Sequence, residues 1–355
     1  MHANLKKFQE KLTGPQQALL LTSRTNRFYG IGADIDESMA VVCQDSVSFF
    51  TDSRYIEAAH RALPDCDIRQ TDHTHSALDY LQALVAEKKI TQLGIEEQYM
   101  TVAEHEKLTK QLNIELFFAQ QMLDSCRHSK ESWELTRMVE AQRITDAAFT
   151  QICGQIAPGM TEKQLYAKLI AALYENGADG LAFDPIVVSG PNTSMPHGVA
   201  GQRQLQAGDF ITLDFGAKYH GYCADMTRTV ALGHVTPQMR EVYSTVLQAQ
   251  LIGIAATHAG MPGREIDAAA RQVIVDAGYG AYFGHGYGHS LGIEIHEAPN
   301  CSPSYAGNIP AGAVCSAEPG IYLPGQFGVR IEDVVIVEEN GCKDITKSPK
   351  ELIIL

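Results

Sequence analysis

The chain reads as an α+β protein in two parts, a smaller α/β domain over residues 1–125 and a larger domain over 126–355 made of two related halves. Three observations predict this. Residues 17–125 alternate between short apolar strands and amphipathic helices. The polar run Cys126–Glu131, CRHSKE, then breaks the alternation and marks the boundary. Beyond it, a long helix, a Gly-Met turn and a second helix ending in glycine occur twice, an echo that places any active site at the junction of two halves.

The elements follow in order. ALLLTS, MAVVCQ and SVSFFTDSRY read as strands, and HSALDYLQALVAEKK as an amphipathic helix. ITQLGIEEQ adds a strand that leads into the helical VAEHEKLTKQL. FYGIGADI holds a Gly-x-Gly but lacks the third glycine and the helix start that dinucleotide binding requires. With no catalytic constellation, this domain is expected to serve as a lid, a specificity wall or an oligomer surface. In the second domain WELTRMVEAQRITDAAFTQI is a long helix with Leu135, Met138, Ile144 and Ala148 on one face. A capping box, Thr161 with Gln164, opens the next helix, and Gly177 can close it. The second half repeats this with QMREVYSTVLQAQLIGIAA and AGMPGREIDAAARQVIVDAGYG.

A length of 355 residues gives each domain enough chain to bury a core. The formal net charge of −14 argues against nucleic-acid or anionic-membrane partners. The amino-terminal MHANLKKFQEKL has no apolar signal core, and no segment approaches the length of a membrane span. Eight cysteines without a C-x-x-C pair are expected to be reduced packing residues in a cytoplasmic protein.

Chemistry concentrates in Gly284–Glu297, GHGYGHSLGIEIHE, where three histidines and two glutamates are threaded with glycine. His285 and His289 have the i, i+4 spacing of a zinc helix, but Gly286 and Gly288 would cost such a helix about 2 kcal/mol. The stretch is therefore expected to be a loop or strand entry that packs close to other backbone. Upstream, DFITLDFGAKYHGYCADMTRTVAL reads as a hairpin turning near Tyr219-His220, and a two-residue loop there sets Asp214 opposite Asp225. VCSAEPGIYL and GVRIEDVVIV flank a turn at Pro324-Gly325, with Glu318 and Glu332 roughly opposite. Like charges facing across antiparallel strands repel, and apolar neighbours carry these carboxylates into a core. A salt bridge to Arg228 or Arg330 could relieve one pair. Two facing pairs with His289 nearby call for cations instead. Four carboxylates balance two divalent ions, and the oxygen-rich set suits Mn²⁺, Co²⁺ or Zn²⁺ in metal-assisted hydrolysis.

These residues resemble the pita-bread metallopeptidases, the group of Xaa-Pro dipeptidase, aminopeptidase P and methionine aminopeptidase. The five ligand motifs DFG, ADMTRT, GHGYGHSLG, AEPG and VRIED stand in the family's order. The resemblance implies a pita-bread catalytic domain of two pseudo-symmetric halves behind a creatinase-type amino-terminal domain. It implies Asp214, Asp225, His289, Glu318 and Glu332 as ligands of two divalent metal ions, Mn²⁺ foremost. His197 in MPHGVAG is expected to contact substrate beside the scissile bond, and His296 in IHE to stabilise the oxyanion. Glu318 is expected to shuttle a proton, Thr227 to orient a ligand, and His285 and Arg330 to line the site and bind substrate. Ser316-Ala317 replaces the family's frequent Thr-Ile, a change expected to alter only packing. Asn300 stands where some dipeptidases carry an arginine for the substrate carboxylate, which loosens the expectation of strict dipeptide specificity. The implied activity is hydrolysis of the Xaa-Pro bond at the amino terminus of proline-containing di- or short oligopeptides, by a homodimer whose first domain reaches toward the partner's site. A metal-independent creatinase-like hydrolase and a non-catalytic binding protein are the alternatives, and neither needs the intact ligand set.

Overall fold

In the computed structural model, which describes residues 4–355, the apolar run Gln17–Leu21 lies inside a six-stranded sheet. Across the sheet the order is Asp67–Thr71, Val47–Asp52, Ser38–Val42, Gln17–Leu21, Gln92–Ile95 and Glu115–Phe118. Gln17–Leu21 pairs antiparallel with Ser38–Val42 and parallel with Gln92–Ile95. Helices Ala77–Lys88 and Val102–Leu112 pack Leu81, Leu84, Leu108 and Leu112 into a core with Leu20, Val41 and Leu93. Both start at capping boxes, Ser76 with Asp79 and Thr101 with Glu104. The strands and helices expected from periodicity are present within a few residues.

Helices Arg24–Ile31, Ile56–Ala62 and Gln120–Ser125 escape the periodicity. Arg24–Ile31 is helical and ends at Gly32 in the left-handed conformation, so the Gly-x-Gly of FYGIGADI is a helix terminus. Ser23 caps its start, the hydroxyl accepting the Asn26 backbone N–H at 3.0 Å, and a tertiary contact holds that cap. The buried Glu96 carboxylate accepts the Ser23 backbone N–H at 2.8 Å, the Ser23 hydroxyl at 2.5 Å and the Asn26 amide at 2.6 Å.

Residues divide into two compact units, Met1–Arg127 and His128–Leu355. The second unit contains the repeated grammar. Helices Ser132–Cys153 and Glu162–Glu175 precede antiparallel strands Ile186–Ser189, Phe210–Phe215 and Met226–Ala231. Helices Pro237–Ala256 and Gly263–Asp276 precede Gly288–Ser290, Val314–Ala317 and Asp333–Glu338, again antiparallel. Met138, Ile144 and Ala148 are buried along the first long helix, as their spacing requires. Ile144 and Ala148 pack with Leu165, Leu213 and Val230. Among the described residues no helix is long and apolar enough to cross a membrane. The eight cysteines are free thiols.

His285 and His289 do not share a helix. His289 sits in the short strand Gly288–Ser290, which is wedged between Glu297–Cys301 and Val314–Ala317. A Cβ on Gly288 would lie 2.1 Å from the Ser316 carbonyl oxygen, so glycine is required where this strand crosses its neighbour. Gly288→Ala should therefore destabilise the chain by about 1–3 kcal/mol, the scale of overpacking. Urea unfolding measures it, and an unchanged midpoint would show that the neighbouring strand yields freely.

Candidate metal centre

The first hairpin turns at His220-Gly221, both at positive φ (45° and 84°), with Tyr219 paired to Tyr222 and Lys218 to Cys223. The same register sets Asp214 opposite Thr227. A turn at Tyr219-His220 would have set Asp214 opposite Asp225, and that expectation is corrected here. Two-residue hairpin turns of this kind need positive φ at both central positions, which puts Gly221 inside the turn. Asp225 is thus the diagonal neighbour of Asp214, two residues before Thr227 and on the same face. In the second half Ala317 pairs with Asp333 and Gly320 with Arg330. That register carries Glu318 opposite Glu332 in the gap between the two ladders.

His289 meets these carboxylates from the third direction. Its Nδ1 is 3.1 Å from the Ser290 carbonyl oxygen, so the proton is on Nδ1 and the Nε2 lone pair is free. Nε2 lies 3.3 Å from Glu318 Oε1 and 3.6 Å from Asp225 Oδ2. Asp225, His289 and Glu332 offer ligand atoms all within 4.8 Å of one another.

The electrostatics of this cluster are unfavourable as it stands. Asp214, Asp225 and Glu332 are buried. Burial, then the charges of Asp214 and Glu318, hold Asp225 well above the usual carboxylate range. Burial and the charge of Asp225 do the same to Glu332. Burial also raises Glu318, although His285 and Arg330 pull it back. Asp214 Oδ1, Asp225 Oδ1 and Glu332 Oε1 are buried oxygens that accept no hydrogen bond. Buried acceptors without donors are costly, and carboxylate oxygens with an imidazole nitrogen fit a divalent cation. The residues present therefore suit the metals that the spacing calls for.

Four of the five candidate ligands, Asp214, His289, Glu318 and Glu332, are also held from behind. The Thr227 hydroxyl donates to Glu332 Oε2 at 2.7 Å and accepts from Arg330 Nε at 3.0 Å. Arg330 also donates to Asp214 and, at 2.8 Å, to the Tyr322 hydroxyl. Tyr322, which sequence reading missed, is pushed up to about 12 by burial and stays protonated. Its hydroxyl lies 2.9 Å from His285 Nε2, while His285 Nδ1 faces the Gly286 carbonyl oxygen at 2.9 Å. Arg330 and His285 both line the cavity, yet their polar atoms are bonded within the protein. Arg228, the other candidate salt-bridge partner, pairs instead with Asp333 at 2.6 Å. Ser316 does more than packing, contrary to expectation. Its hydroxyl accepts the His289 backbone N–H at 3.0 Å and lies 3.2 Å from Glu318 Oε1. A hydroxyl is what this position needs, and serine supplies it as threonine would.

The cluster opens into a cavity of about 930 Å³ that His197, His296 and Asn300 also line. The His296 ring packs edge-on against His289, centroids 4.3 Å apart, and burial lowers its pKa. Behind it Glu297 Oε1 accepts the backbone N–H groups of Ile293 and Glu294 at 3.0 and 3.2 Å, and Lys130 Nζ lies 3.1 Å from Oε2. The Asn300 side-chain oxygen accepts the Ser302 hydroxyl at 2.6 Å.

Residues 136–339 match Metallopeptidase family M24, and residues 5–129 match the Creatinase/Prolidase N-terminal domain. The chain belongs to metallopeptidase family M24. It is similar to the Xaa-Pro dipeptidase of Pyrococcus horikoshii, 32% identical over 340 residues that cover 95% of this chain and 94% of the relative. Among solved structures, an Xaa-Pro dipeptidase from Bacillus anthracis superposes with a TM-score of 0.95 at 38% identity, covering 99% of each chain. An X-Pro aminopeptidase from Thermotoga maritima superposes with a TM-score of 0.89 at 33% identity, covering 96% of this chain and 97% of that one. The pita-bread architecture with a creatinase-type amino-terminal domain is thereby shown, and divalent metals are what the M24 family implies.

The raised carboxylate pKa values give a test of this centre that does not depend on activity. An acid whose pKa rises on folding binds more protons folded than unfolded between its two pKa values. Its penalty therefore grows as pH rises through that window and is fully present above the folded pKa. Asp225→Asn should raise the melting temperature of metal-free protein at neutral pH, by about 2–4 °C for each kcal/mol of repulsion removed. The same variant should lose most of the stabilisation that Mn²⁺ gives the wild type. A lower melting temperature in the metal-free variant would contradict this account of the cluster.

Proposed function

We propose that this M24 peptidase hydrolyses the Xaa-Pro bond at the amino terminus of di- or short oligopeptides in the cytoplasm, using two divalent ions per chain, Mn²⁺ in preference to Co²⁺ or Zn²⁺. The observation that carries the proposal is the cluster of buried Asp214, Asp225 and Glu332 and half-buried His289 and Glu318, with its donor-less oxygens, opening into the cavity that His197 and His296 line. The substrate class is supported by whole-length similarity to proteins named Xaa-Pro dipeptidase and X-Pro aminopeptidase. An Xaa-Pro amide has no N–H, so it fits poorly in peptidase sites that recognise one. Family resemblance supports a homodimer, with a sedimentation mass of two chains.

When bound, the ions supply a Lewis acid for the scissile carbonyl and an activated water. The remaining steps belong to side chains. Asp214, Asp225, His289, Glu318 and Glu332 hold the ions. Glu318, whose pKa burial raises, takes the proton of the attacking water and passes it to the departing nitrogen. His296, kept neutral by its lowered pKa, donates its ring N–H to the developing oxyanion. His197 contacts the substrate at the proline nitrogen. Arg330, Tyr322 and His285 act through one another, keeping Asp214 in place on the cavity wall.

Replacing His296 with alanine should lower kcat by roughly 10²–10³-fold, the scale of one lost oxyanion donor. Metal content by mass spectrometry should stay at that of the wild type. Loss of metal would instead make His296 a ligand.

Substrate length depends on the end of the cavity near Asn300. A strict dipeptidase must recognise a carboxylate directly after proline, which a fixed arginine does well through paired hydrogen bonds. Asn300 offers a neutral amide whose oxygen is already bonded to Ser302. Ala-Pro-Ala should therefore be cleaved at least as well as Ala-Pro. Asn300→Arg should shift preference toward the dipeptide by about 1–3 kcal/mol, the worth of a hydrogen bond to a charged group. Wild-type enzyme that cleaves Ala-Pro and leaves the tripeptide intact would reverse this reading of the position.

A further inference from the structure

Glu162 is a carboxylate that the chemistry does not use. It lies in the first turn of helix Glu162–Glu175, is 0% exposed, and neither lines the cavity nor belongs to the metal cluster. A buried carboxylate is costly unless its oxygens are satisfied, and here the donors come from two points on one loop. Oε1 accepts the Ser189 backbone N–H at 2.7 Å, the Ser189 hydroxyl at 2.8 Å and the Asn192 amide at 3.0 Å. Oε2 accepts the Gly201 backbone N–H at 3.0 Å. The main chain adds to the grip, since Lys163 N–H donates to the Gly201 carbonyl oxygen at 3.0 Å and Glu162 N–H to that of Arg203 at 3.0 Å. The positive end of the helix dipole and these four donors suit a charged carboxylate.

Between the two gripped points runs the segment that carries His197. Its outer part has little packing of its own. Met195 is 50% exposed and Val199 87%. Among the described residues no hydrogen bond fixes the His197 ring. Pro196, His197, Gly198 and Val199 all line the cavity. The place of the ring is therefore decided by the backbone of its loop, which Glu162 grips at both ends. The Gly328 backbone N–H, on the Thr193 hydroxyl at 2.8 Å, and Arg330, on the Pro196 carbonyl oxygen at 3.4 Å, also hold that loop.

We propose that Glu162 is the positioning residue for His197: a buried carboxylate that closes the 189–201 loop and so sets where the imidazole meets substrate. The inference rests on the role given to His197 above. It concerns a residue outside the cavity lining and the metal cluster, so its effect on the chemistry runs through the loop that carries His197.

A double-mutant cycle on the metal-loaded enzyme with Ala-Pro and Ala-Pro-Ala tests this. Glu162→Gln keeps the volume but presents an NH₂ group where a carboxylate oxygen accepted, so one end of the loop loses its acceptor. The expected result is a fall in kcat of about 10-fold, within the range of up to about 10²-fold for a displacement near 1 Å. KM should change little, and bound metal should match the wild type. In a His197→Ala background the same substitution should cost nothing further, because residues that act as a unit are non-additive. An equal loss in both backgrounds would overturn the positioning role and leave the function of His197 standing. Full activity in His197→Ala alone would remove the role of His197, and the inference with it. Should Glu162→Gln fail to fold, Asn192→Ala removes a single donor from the same clamp. Its smaller loss of kcat must likewise vanish in the His197→Ala background, and persistence there would overturn the proposal equally.

Discussion

Mutual repulsion among four carboxylates is the constraint around which the second unit is built. Asp214, Asp225, Glu318 and Glu332 come from two hairpins whose apolar residues pack into the core, so the charges cannot stay in water while the strands fold. Taking even one ion out of water costs several kcal/mol. Arg330 compensates one oxygen of Asp214, Thr227 one of Glu332 and Ser316 one of Glu318. The oxygens left over face one another and His289, an arrangement that cations relieve and that nothing else in the unit does.

The architecture explains how such a site is held. Asp214 and Asp225 come from the first half, and His289, Glu318 and Glu332 from the second, so the centre forms only where the two halves meet. Each carboxylate stands on or beside a paired strand whose register sets its position to within a fraction of a residue spacing. His289 is admitted by Gly288, which lets its strand pass close to the Ser316 carbonyl. Sites carried on strands are more closely fixed than sites carried on loops.

Two of the cavity histidines outside the ligand set lack that support. His197 and His296 sit on irregular segments, and behind each is a buried glutamate that gathers backbone N–H groups: Glu162 for the 189–201 loop and Glu297 for the 293–297 turn. Glu297 is balanced by Lys130, whereas Glu162 relies on hydrogen bonds and a helix terminus. Loops that must present a side chain to substrate are thus anchored at their base by polar contacts, and their tips remain open to the cavity.

By itself the sequence determined the elements whose signal is local. The alternation of strands and helices in the first domain, the repeated helix pairs of the second and the facing of Glu318 and Glu332 all follow from periodicity and short turns. The convergence of four acidic residues and His289 was legible because charge in apolar strands has few explanations. Tertiary structure decided the rest. The position of Asp225 depended on which residue of Tyr219-His220-Gly221 entered the turn, a choice made by backbone conformation and not by pattern. The helix at Arg24–Ile31 is capped locally by Ser23, but Glu96, some seventy residues away, holds that cap in place. Tyr322 and Glu162 carry no motif by which sequence alone could single them out. Arg330 reaches Tyr322 across a short hairpin, but His285 for the one and Ser189 and Gly201 for the other lie far enough along the chain that only folding brings them within hydrogen-bond reach.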